Sequence, residues 1–257
     1  MPERNSGQPH SPSGFWKELD ETEQGTLRDA ARPRTYLAGA HLCYEGDPSD
    51  HVIIIENGWA KVTSTTEDGH EVVHAIRGPG DLVGESAVIG HRPRSATITA
   101  LDSLQALVLS ATRFTAFLDE HPRVWRMVSG TLVRRNDDDV RRLRANASAD
   151  GGQRLAMLLL ELAQAYGSAT PTGVVIQPPL SQSELASWVD SSRETVARAL
   201  KIWRARGLVD TARRKITILD PPGLRAYADG HPGPARPGHP WPRINGERGR
   251  GRGDRDH

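Results

Sequence analysis

Short apolar runs separated by glycines dominate the first half of the chain and predict β-strands. After a short helical segment around residues 16–31, the runs fall at His51–Ile55, Trp59–Thr63, Glu71–Ile76, Ala96–Leu101 and Leu104–Leu109. The intervening turns contain Gly39, Gly46, Gly58, Gly69, Gly80 and Gly90. Many short strands at regular spacing are typical of a β-barrel or a sandwich and not of a parallel sheet.

At Pro122 this pattern gives way to a helical spacing of apolar residues, which predicts one long helix to about residue 147. Gly151 and Gly152 then break the helical pattern. Its coiled-coil positions are Trp125, Val128, Leu132, Asp139 and Leu143, with Asn136 facing the same way. The charged run 134–139 interrupts the stripe and weakens the predicted seam. We expect this helix to join two copies of the chain.

Two further helices separated by a tight turn are predicted in the C-terminal half. Ser181 and Glu184 form a capping box at the start of the first helix. Asp190 lies in the turn, where a short polar side chain tolerates a left-handed backbone. Either Ser191 or Ser192 caps the second helix. Its apolar stripe consists of Val196, Leu200 and Trp203.

The second of these helices presents Arg193, Glu194 and Arg198 away from its apolar stripe. An Arg guanidinium forks onto guanine O6 and N7, and a Glu carboxylate accepts from cytosine N4. The helix can therefore read base edges in a DNA major groove. Two plainer interpretations stay open, a solvated charged face or an intrahelical ion pair between Glu194 and Arg198.

The residues after this helix predict a β-hairpin with a basic tip. Gly207 ends the helix, Val209 begins a strand, and residues 216–218 alternate as the return strand. The tip carries Arg213, Arg214 and Lys215, all suited to phosphates. Residues 181–215 contain eight Lys or Arg and four Asp or Glu, a net charge of +4 in a chain whose total is +1. Such a local basic surface is the electrostatic footprint of a DNA-binding module.

Within the predicted β-domain, one segment has the chemistry of an anion pocket. Gly84 lets backbone N–H groups approach a phosphate, and Arg94 and Ser95 can donate to it. Glu85 can accept from a sugar hydroxyl, and Ala96 follows in the same segment. The alternative is a turn glycine with a structural Arg–Glu pair.

Length and composition fit two domains with terminal tails. The chain has 257 residues and one cysteine, Cys43, which excludes a disulfide framework and a cysteine-ligated iron–sulfur cluster. It contains no apolar run near the ~20 residues that span a bilayer and opens with no export signal, so we expect a cytoplasmic protein without membrane contact. Residues 1–13 and 223–257 are poor in apolar residues, and we expect them to be disordered.

These features together resemble the Crp/Fnr superfamily of bacterial regulators. The matching segments are the glycine turns 44–47 and 55–58, Gly84-Glu85, Arg94-Ser95, and Ser192 to Val196 with Arg198. The resemblance implies an α+β fold in three parts. These are a cyclic-nucleotide-binding-like β-roll (jelly roll) over residues 14–120, a long dimerisation helix over 121–147 and a winged helix-turn-helix domain over 148–222.

The resemblance also implies roles for individual residues. Cyclic AMP, or another cyclic nucleotide, would be the effector, held by Gly84, Glu85, Arg94, Ser95 and Ala96. Base contacts fall to Arg193, Glu194 and Arg198. The resemblance assigns phosphate contacts to Ser181, Ser192 and Thr195. Their positive charge makes Lys201, Arg213, Arg214 and Lys215 further candidates for phosphate contacts. The implied partners are a palindromic double-stranded DNA site, a second copy of the chain and RNA polymerase, with no catalytic residue and no metal.

One departure from the family concerns the base of the nucleotide. Where the family's long helix carries a Thr-Ser pair that meets adenine, this chain has Asp139 and Val140. Val140 can neither donate nor accept through its side chain, and Asp139 adds a charge that is costly to bury without a partner. Asp139 can still accept from an amine, so it stays a candidate effector residue. The segment 163–173, where a relative meets RNA polymerase, shows no match.

Three alternatives stay open. The chain could be a DNA-binding regulator whose pocket has lost its effector. It could be a haem or metal sensor, since His41, His51, His70, His74 and His91 lie in the predicted β-domain. An enzyme is disfavoured, because the sequence has no nucleophile–base pair, no metal cluster and no P-loop.

Overall fold

The N-terminal domain is built from two four-stranded antiparallel sheets. The computed structural model describes residues 14–146 and 149–231. One sheet has the order β1-β8-β3-β6 and the other β2-β7-β4-β5. The strands are β1 (Arg32–Tyr36), β2 (His41–Cys43), β3 (His51–Asn57), β4 (Ala60–Thr65), β5 (Glu71–Arg77), β6 (Leu82–Val83), β7 (Thr97–Ala100) and β8 (Leu104–Ser110).

The continuous apolar run in β3 arises because this strand is covered on both faces. Ile53 and Ile55 pack between the two sheets, while Val52 and Ile54 belong to a second core under the helices. Strands buried on both faces lose the usual apolar–polar alternation. The predicted strands of this domain are therefore confirmed, but β1, β2 and the two-residue β6 were missed.

Short helices cover one sheet and lead into the long helix. They are a 3-10 helix (Phe15–Glu18), α1 (Glu21–Ala30), α2 (Glu85–Ile89) and α3 (Ala111–Glu120). The long helix α4 spans Pro122–Asn146, as predicted. Val128 is only 2% exposed and packs against the β-domain with Phe114 and Leu118. Its assignment to the dimer seam was therefore wrong, because the side chain is already used within its own domain.

The apolar side chains that α4 leaves exposed form a different stripe. Trp125, Val133 and Val140 are the exposed large apolar residues of this helix, and Asn136 is exposed beside them. The side chain of Leu143 lies outside the described part of the structure. Gly151 and Gly152 do not break α4. They form the first turn of the next helix, whose N-cap is Asp150.

The C-terminal domain combines four helices with a small sheet of order β11-β12-β10-β9. Residues 163–173 form the end of the first helix and a β-hairpin whose strands pair in antiparallel register. The elements are α5 (Gly151–Tyr166), β9 (Gly167–Thr170), β10 (Gly173–Ile176), α6 (Gln182–Trp188), α7 (Arg193–Ala205), β11 (Val209–Ala212), β12 (Lys215–Ile218) and α8 (Pro221–Ala228).

The last helix corrects the predicted boundary of the tail. The Asp220 side chain accepts a hydrogen bond from the Gly223 N–H at 3.0 Å and so begins α8, and Leu224 is fully buried. The domain therefore extends past residue 222. The predicted tail residues 1–13 and 232–257 lie outside the described residues, and none of the described helices is long and apolar enough to cross a membrane.

One apolar cluster joins the two domains. Val73 and Ile76 of β5 share a core with the helices of the C-terminal domain. Tyr166 at the end of α5 stacks edge-on against Trp59, with ring centroids 5.0 Å apart, and donates its hydroxyl to the Ile76 carbonyl at 2.9 Å. Burial raises the pKa of the Tyr166 phenol, which keeps this donor protonated.

The glycine turn before β4 provides a stability test. Gly58 has φ +85°, and a Cβ there would lie 2.6 Å from the Ser103 carbonyl oxygen. Gly69 has φ +80° with open space around it. We expect Gly69→Ala to cost about 1 kcal/mol, from the left-handed backbone alone. Gly58→Ala should lower the free energy of unfolding by about 1–3 kcal/mol more, because the backbone at Ser103 and Leu104 must move to admit the Cβ. Equal losses in urea denaturation of the two variants would contradict the close-contact argument.

Candidate nucleic-acid interface and effector pocket

The helix pair α6–α7 is defined by local hydrogen bonds that the sequence predicted. Ser181 Oγ accepts from the Glu184 N–H at 3.2 Å, and Glu184 Oε2 accepts from the Ser181 N–H at 2.6 Å. Asp190 has φ +48° in the turn. Ser192, not its neighbour, caps α7 by accepting from the Thr195 N–H at 3.1 Å. The predicted helix-turn-helix is confirmed.

Helix α7 has one buried and one exposed face. Its apolar stripe, Val196, Leu200 and Trp203, is buried in the domain core. Arg193, Glu194, Arg198 and Lys201 are exposed. Among the described residues, Glu194 and Arg198 make no salt bridge within 4.0 Å, which removes the intrahelical ion pair as an explanation. The polar groups of this face are therefore available to a ligand.

An arginine that sequence reasoning missed holds the turn between α6 and α7. Arg154 of α5 donates from Nε to the Val189 carbonyl, from Nη2 to the Asp190 carbonyl and from Nη1 to the Ala149 carbonyl, at 2.7–2.8 Å. Two of these acceptors, Val189 and Asp190, belong to the turn after α6, so the guanidinium fixes where α7 begins. Gly151 packs here as well, since a Cβ on it would lie 2.5 Å from Ser191 Oγ.

The basic hairpin is present, but its arginines point in different directions. Arg213 and Arg214 form the turn between β11 and β12, with Arg214 at φ +54°. Arg214 donates to the Pro179 carbonyl at 2.8 Å and to the Leu101 carbonyl at 3.4 Å. The structure thus ties Arg214 to the protein and does not support the predicted phosphate contact. Arg213 and Lys215 are exposed at the tip.

The predicted anion pocket is a cavity of about 330 Å³ in which Gly84, Glu85, Arg94, Ser95 and Ala96 all take part. Gly84 has φ +82°, and a Cβ on it would lie 2.4 Å from Arg94 Nη1, so only glycine fits. Arg94 is 4% exposed and donates to the Gly84 carbonyl at 3.0 Å and the His51 carbonyl at 2.5 Å. Its Nε is buried without a hydrogen-bond partner among the described residues.

The carboxylate of this pocket is paired with the long helix. Glu85 is 3% exposed, and its Oε1 accepts from Arg135 Nη1 at 2.5 Å. Arg135 also donates to the Leu82 carbonyl at 3.2 Å. Burial, together with the nearby Arg77, lowers the pKa of Arg135. Glu85 therefore pairs with an arginine of α4 and not with Arg94 of its own segment, and the sequence did not reveal this partner.

Helix α4 completes the cavity with Leu132, Arg135, Asn136 and Asp139. Val140 is not part of the lining. One turn further, Arg142 donates to the His74 carbonyl at 3.0 Å, lies 3.5 Å from Glu161 and stands over the Trp188 ring. Arg142 thus links the pocket strand β5 to helices α5 and α6.

Three of the β-domain histidines, His41, His51 and His74, have side-chain hydrogen-bond partners. His74 is hydrogen-bonded to Ser64 Oγ at 2.6 Å, and His51 to Asp50 at 2.5 Å. The His51 hydrogen bond lowers the pKa of Asp50. Within the described ranges, no three His, Cys, Asp or Glu side chains are grouped as a metal site requires.

Comparison with known proteins identifies both domains. A family model for the cyclic nucleotide-binding domain matches residues 33–121, and one for the Crp-like helix-turn-helix domain matches residues 153–227. The chain is 27% identical over 212 residues to a Mycobacterium tuberculosis protein named CRP-like cAMP-activated global transcriptional regulator, covering 81% of this chain and 93% of that protein.

Other relatives carry different names. A Global nitrogen regulator of Synechocystis is 28% identical over 192 residues, covering 74% of this chain and 85% of that protein. The solved structure of CLP from Xanthomonas campestris, described as a c-di-GMP responsive global regulator, aligns with a TM-score of 0.66 at 22% identity. It covers 77% of this chain and 99% of that one, and the likeness shows the shared fold.

The Arg154 contacts can be tested by stability. Arg154→Met removes the charged donor to three carbonyls, and hydrogen bonds to charged groups contribute about 1.5–3 kcal/mol each. Because water can hydrogen-bond to part of the freed carbonyls, we expect the free energy of unfolding of the C-terminal domain to fall by about 2 kcal/mol. Arg225→Met, at an exposed position on α8, is the control and should stay within about 0.5 kcal/mol. A loss no larger than that of the control would exclude the positioning role.

Proposed function

We propose that this chain, which belongs to the Crp/Fnr superfamily of transcription regulators, binds a palindromic DNA site as a homodimer under the control of a cyclic nucleotide. One observation carries the proposal. A single chain combines an exposed Arg193–Glu194–Arg198 face on a capped helix with a glycine-lined cavity around the buried Arg94. The first arrangement suits base edges and the second suits a small phosphate.

In the proposed complex, α7 lies in the major groove. Arg193 and Arg198 each fork onto a guanine, and Glu194 accepts from a cytosine N4. Phosphate contacts position the helix without reading the sequence. The residues proposed to make them are Ser181, Ser192, Thr195, Lys201, Arg213 and Lys215. The cap hydrogen bonds already engage Ser181 and Ser192, so their hydroxyls would act while still capping.

The exposed stripe of α4 is the proposed dimer seam. Trp125, Val133 and Val140 leave apolar surface in water in a single chain, and pairing two helices removes it. Asn136 in the same stripe can fix the register at some cost in stability. Two copies then present two α7 helices about one DNA turn apart, which a palindromic site matches.

The cavity is the proposed effector site. The cyclic phosphate would lie against Arg94, Ser95 and the N–H groups near Gly84, and the ribose hydroxyl against Glu85. Helix α4 couples the site to the DNA-binding domain, because Arg135 contacts Glu85 and Arg142 contacts α5 and α6. Ligand-dependent rotation of this helix would reorient α7, with a coupling free energy of about 1–3 kcal/mol. RNA polymerase is a further proposed partner.

A second candidate is a regulator that needs no effector. The Glu85–Arg135 pair and the carbonyl contacts of Arg94 satisfy most of the pocket's polar groups within the chain. A pocket whose polar groups are already hydrogen-bonded within the chain could have a purely structural role, which is to hold α4 in place. DNA affinity unchanged by any cyclic nucleotide would favour this candidate.

Selection from a random oligonucleotide pool, with and without cyclic nucleotide, tests the DNA-binding proposal. We expect a two-fold symmetric site whose half-sites contain G·C pairs. On that site, Arg193→Ala should cost about 1–3 kcal/mol in fluorescence anisotropy titrations and relax the preference at one guanine. Arg213→Ala should weaken selected and random DNA alike, because a phosphate contact carries no sequence information. If Arg193→Ala lost affinity equally on both DNAs, its base-reading role would be refuted.

Calorimetry tests the effector site. Arg94→Leu should abolish the heat of cyclic nucleotide binding, because the cavity loses its charged phosphate donor. Arg92→Leu, two residues away and exposed, should bind as the parent chain does. Since Arg94 is buried, Arg94→Lys provides a milder change that keeps the charge, and it should weaken binding without eliminating it. Unchanged binding by folded Arg94→Leu would place the phosphate elsewhere.

A further inference from the structure

The effector cavity has an acidic side chain on its helix side. Asp139 of α4 lines the same cavity of about 330 Å³ as Arg94 and Ser95. Its side chain is 63% exposed, and its salt-bridge partner, Arg142, lies 3.8 Å away. Arg142 is engaged more closely by the His74 carbonyl at 3.0 Å and Glu161 at 3.5 Å. The Asp139 carboxylate therefore retains acceptor capacity for a ligand.

The position of Asp139 relates it to one part of a nucleotide. The inference rests on the proposed function, in which the cyclic phosphate contacts Arg94 and the ribose contacts Glu85. Arg94 lies in the loop before β7 and Glu85 begins α2, so the β-domain supplies both contacts, and the base is the part left to meet Leu132, Asn136 and Asp139 of α4. Leu132 offers that base an apolar surface, and Asn136 and Asp139 offer polar atoms.

We propose that Asp139 reads this base and makes the site selective for a guanine cyclic mononucleotide over its adenine counterpart. A carboxylate has two acceptor oxygens and no donor. Guanine presents two neighbouring donors on its Watson–Crick edge, the N1–H and the N2 amino group, which the two oxygens match. Adenine presents one donor, the N6 amino group, beside the N1 acceptor, whose lone pair would face the carboxylate. Adenine therefore makes at most one hydrogen bond to the carboxylate, with a repulsive lone pair beside it, whereas guanine makes two.

The size of the cavity favours a mononucleotide. Ligand pockets typically measure about 300–1,000 Å³, and this one lies at the lower end of that range. The arginines Arg77, Arg94 and Arg135 line it together with Glu85 and Asp139, so the site balances one anionic phosphate without an excess of negative charge. A cyclic dinucleotide carries the same guanine edge and a second phosphate, and it serves as a separate arm of the test.

The experiment measures selectivity as a ratio. Calorimetry of the full chain with cyclic GMP and with cyclic AMP should give binding of cyclic GMP tighter by about tenfold or more. Asp139→Asn replaces one acceptor by a donor, and an Asn amide pairs with adenine in a bidentate manner. The variant should therefore shift the ratio toward cyclic AMP by about tenfold. Asp138→Asn is the control, since Asp138 pairs with Arg141 and does not line this cavity, and the ratio should not move.

The outcomes separate this inference from the proposed function. Equal or tighter binding of cyclic AMP by the parent chain would overturn guanine selectivity while leaving a cyclic nucleotide site in place. A ratio unaffected by Asp139→Asn would remove Asp139 as the base reader, and tighter binding of cyclic di-GMP than of cyclic GMP would overturn the mononucleotide assignment. Binding of no cyclic nucleotide would refute both the inference and the effector proposal, with DNA binding judged separately.

Discussion

The organisation of this protein depends on one buried carboxylate. Glu85 is almost completely removed from water, and an ionised carboxylate in that position is costly unless a cation and hydrogen bonds compensate it. Arg135 provides the cation from a helix 50 residues further along the chain. Pocket and helix are therefore a single unit, because moving either one would leave a buried charge without its partner.

The charged run in α4 follows from this constraint. In sequence, residues 134–139 look like an interruption of a dimer stripe. In the structure, Arg135 turns toward Glu85, Asp139 lines the cavity and Val133 and Val140 remain on the outer surface. The helix therefore has three functional faces, one toward the β-domain, one toward the pocket and one toward solvent. A two-faced description of apolar and polar positions cannot represent such a helix.

Local signals made much of the fold and of the DNA-binding face predictable. Capping at Ser181 and the left-handed Asp190 depend on neighbours within four residues, so the sequence contains both interacting groups. Strand β1 escaped prediction because four of its five residues are exposed, and it is held by pairing with β8 and by the single buried side chain of Tyr36. Arg154 and Arg135 escaped because their partners lie 35 and 50 residues away, and several partners are backbone carbonyls, which every residue type has.

The same contacts explain how a small ligand could control a distant helix. Arg142 connects the strand beside the pocket to α5 and α6, and Arg154 connects α5 to the turn before α7. In the proposed mechanism, a shift of α4 would reach α7 through these directional charged contacts, in addition to the apolar cluster that joins the two domains. Coupling of this kind must act in both directions. If the effector favours the α7 orientation that fits DNA, then bound DNA must tighten effector binding by the same factor. The affinity measured for the effector would therefore depend on whether the protein is bound to DNA.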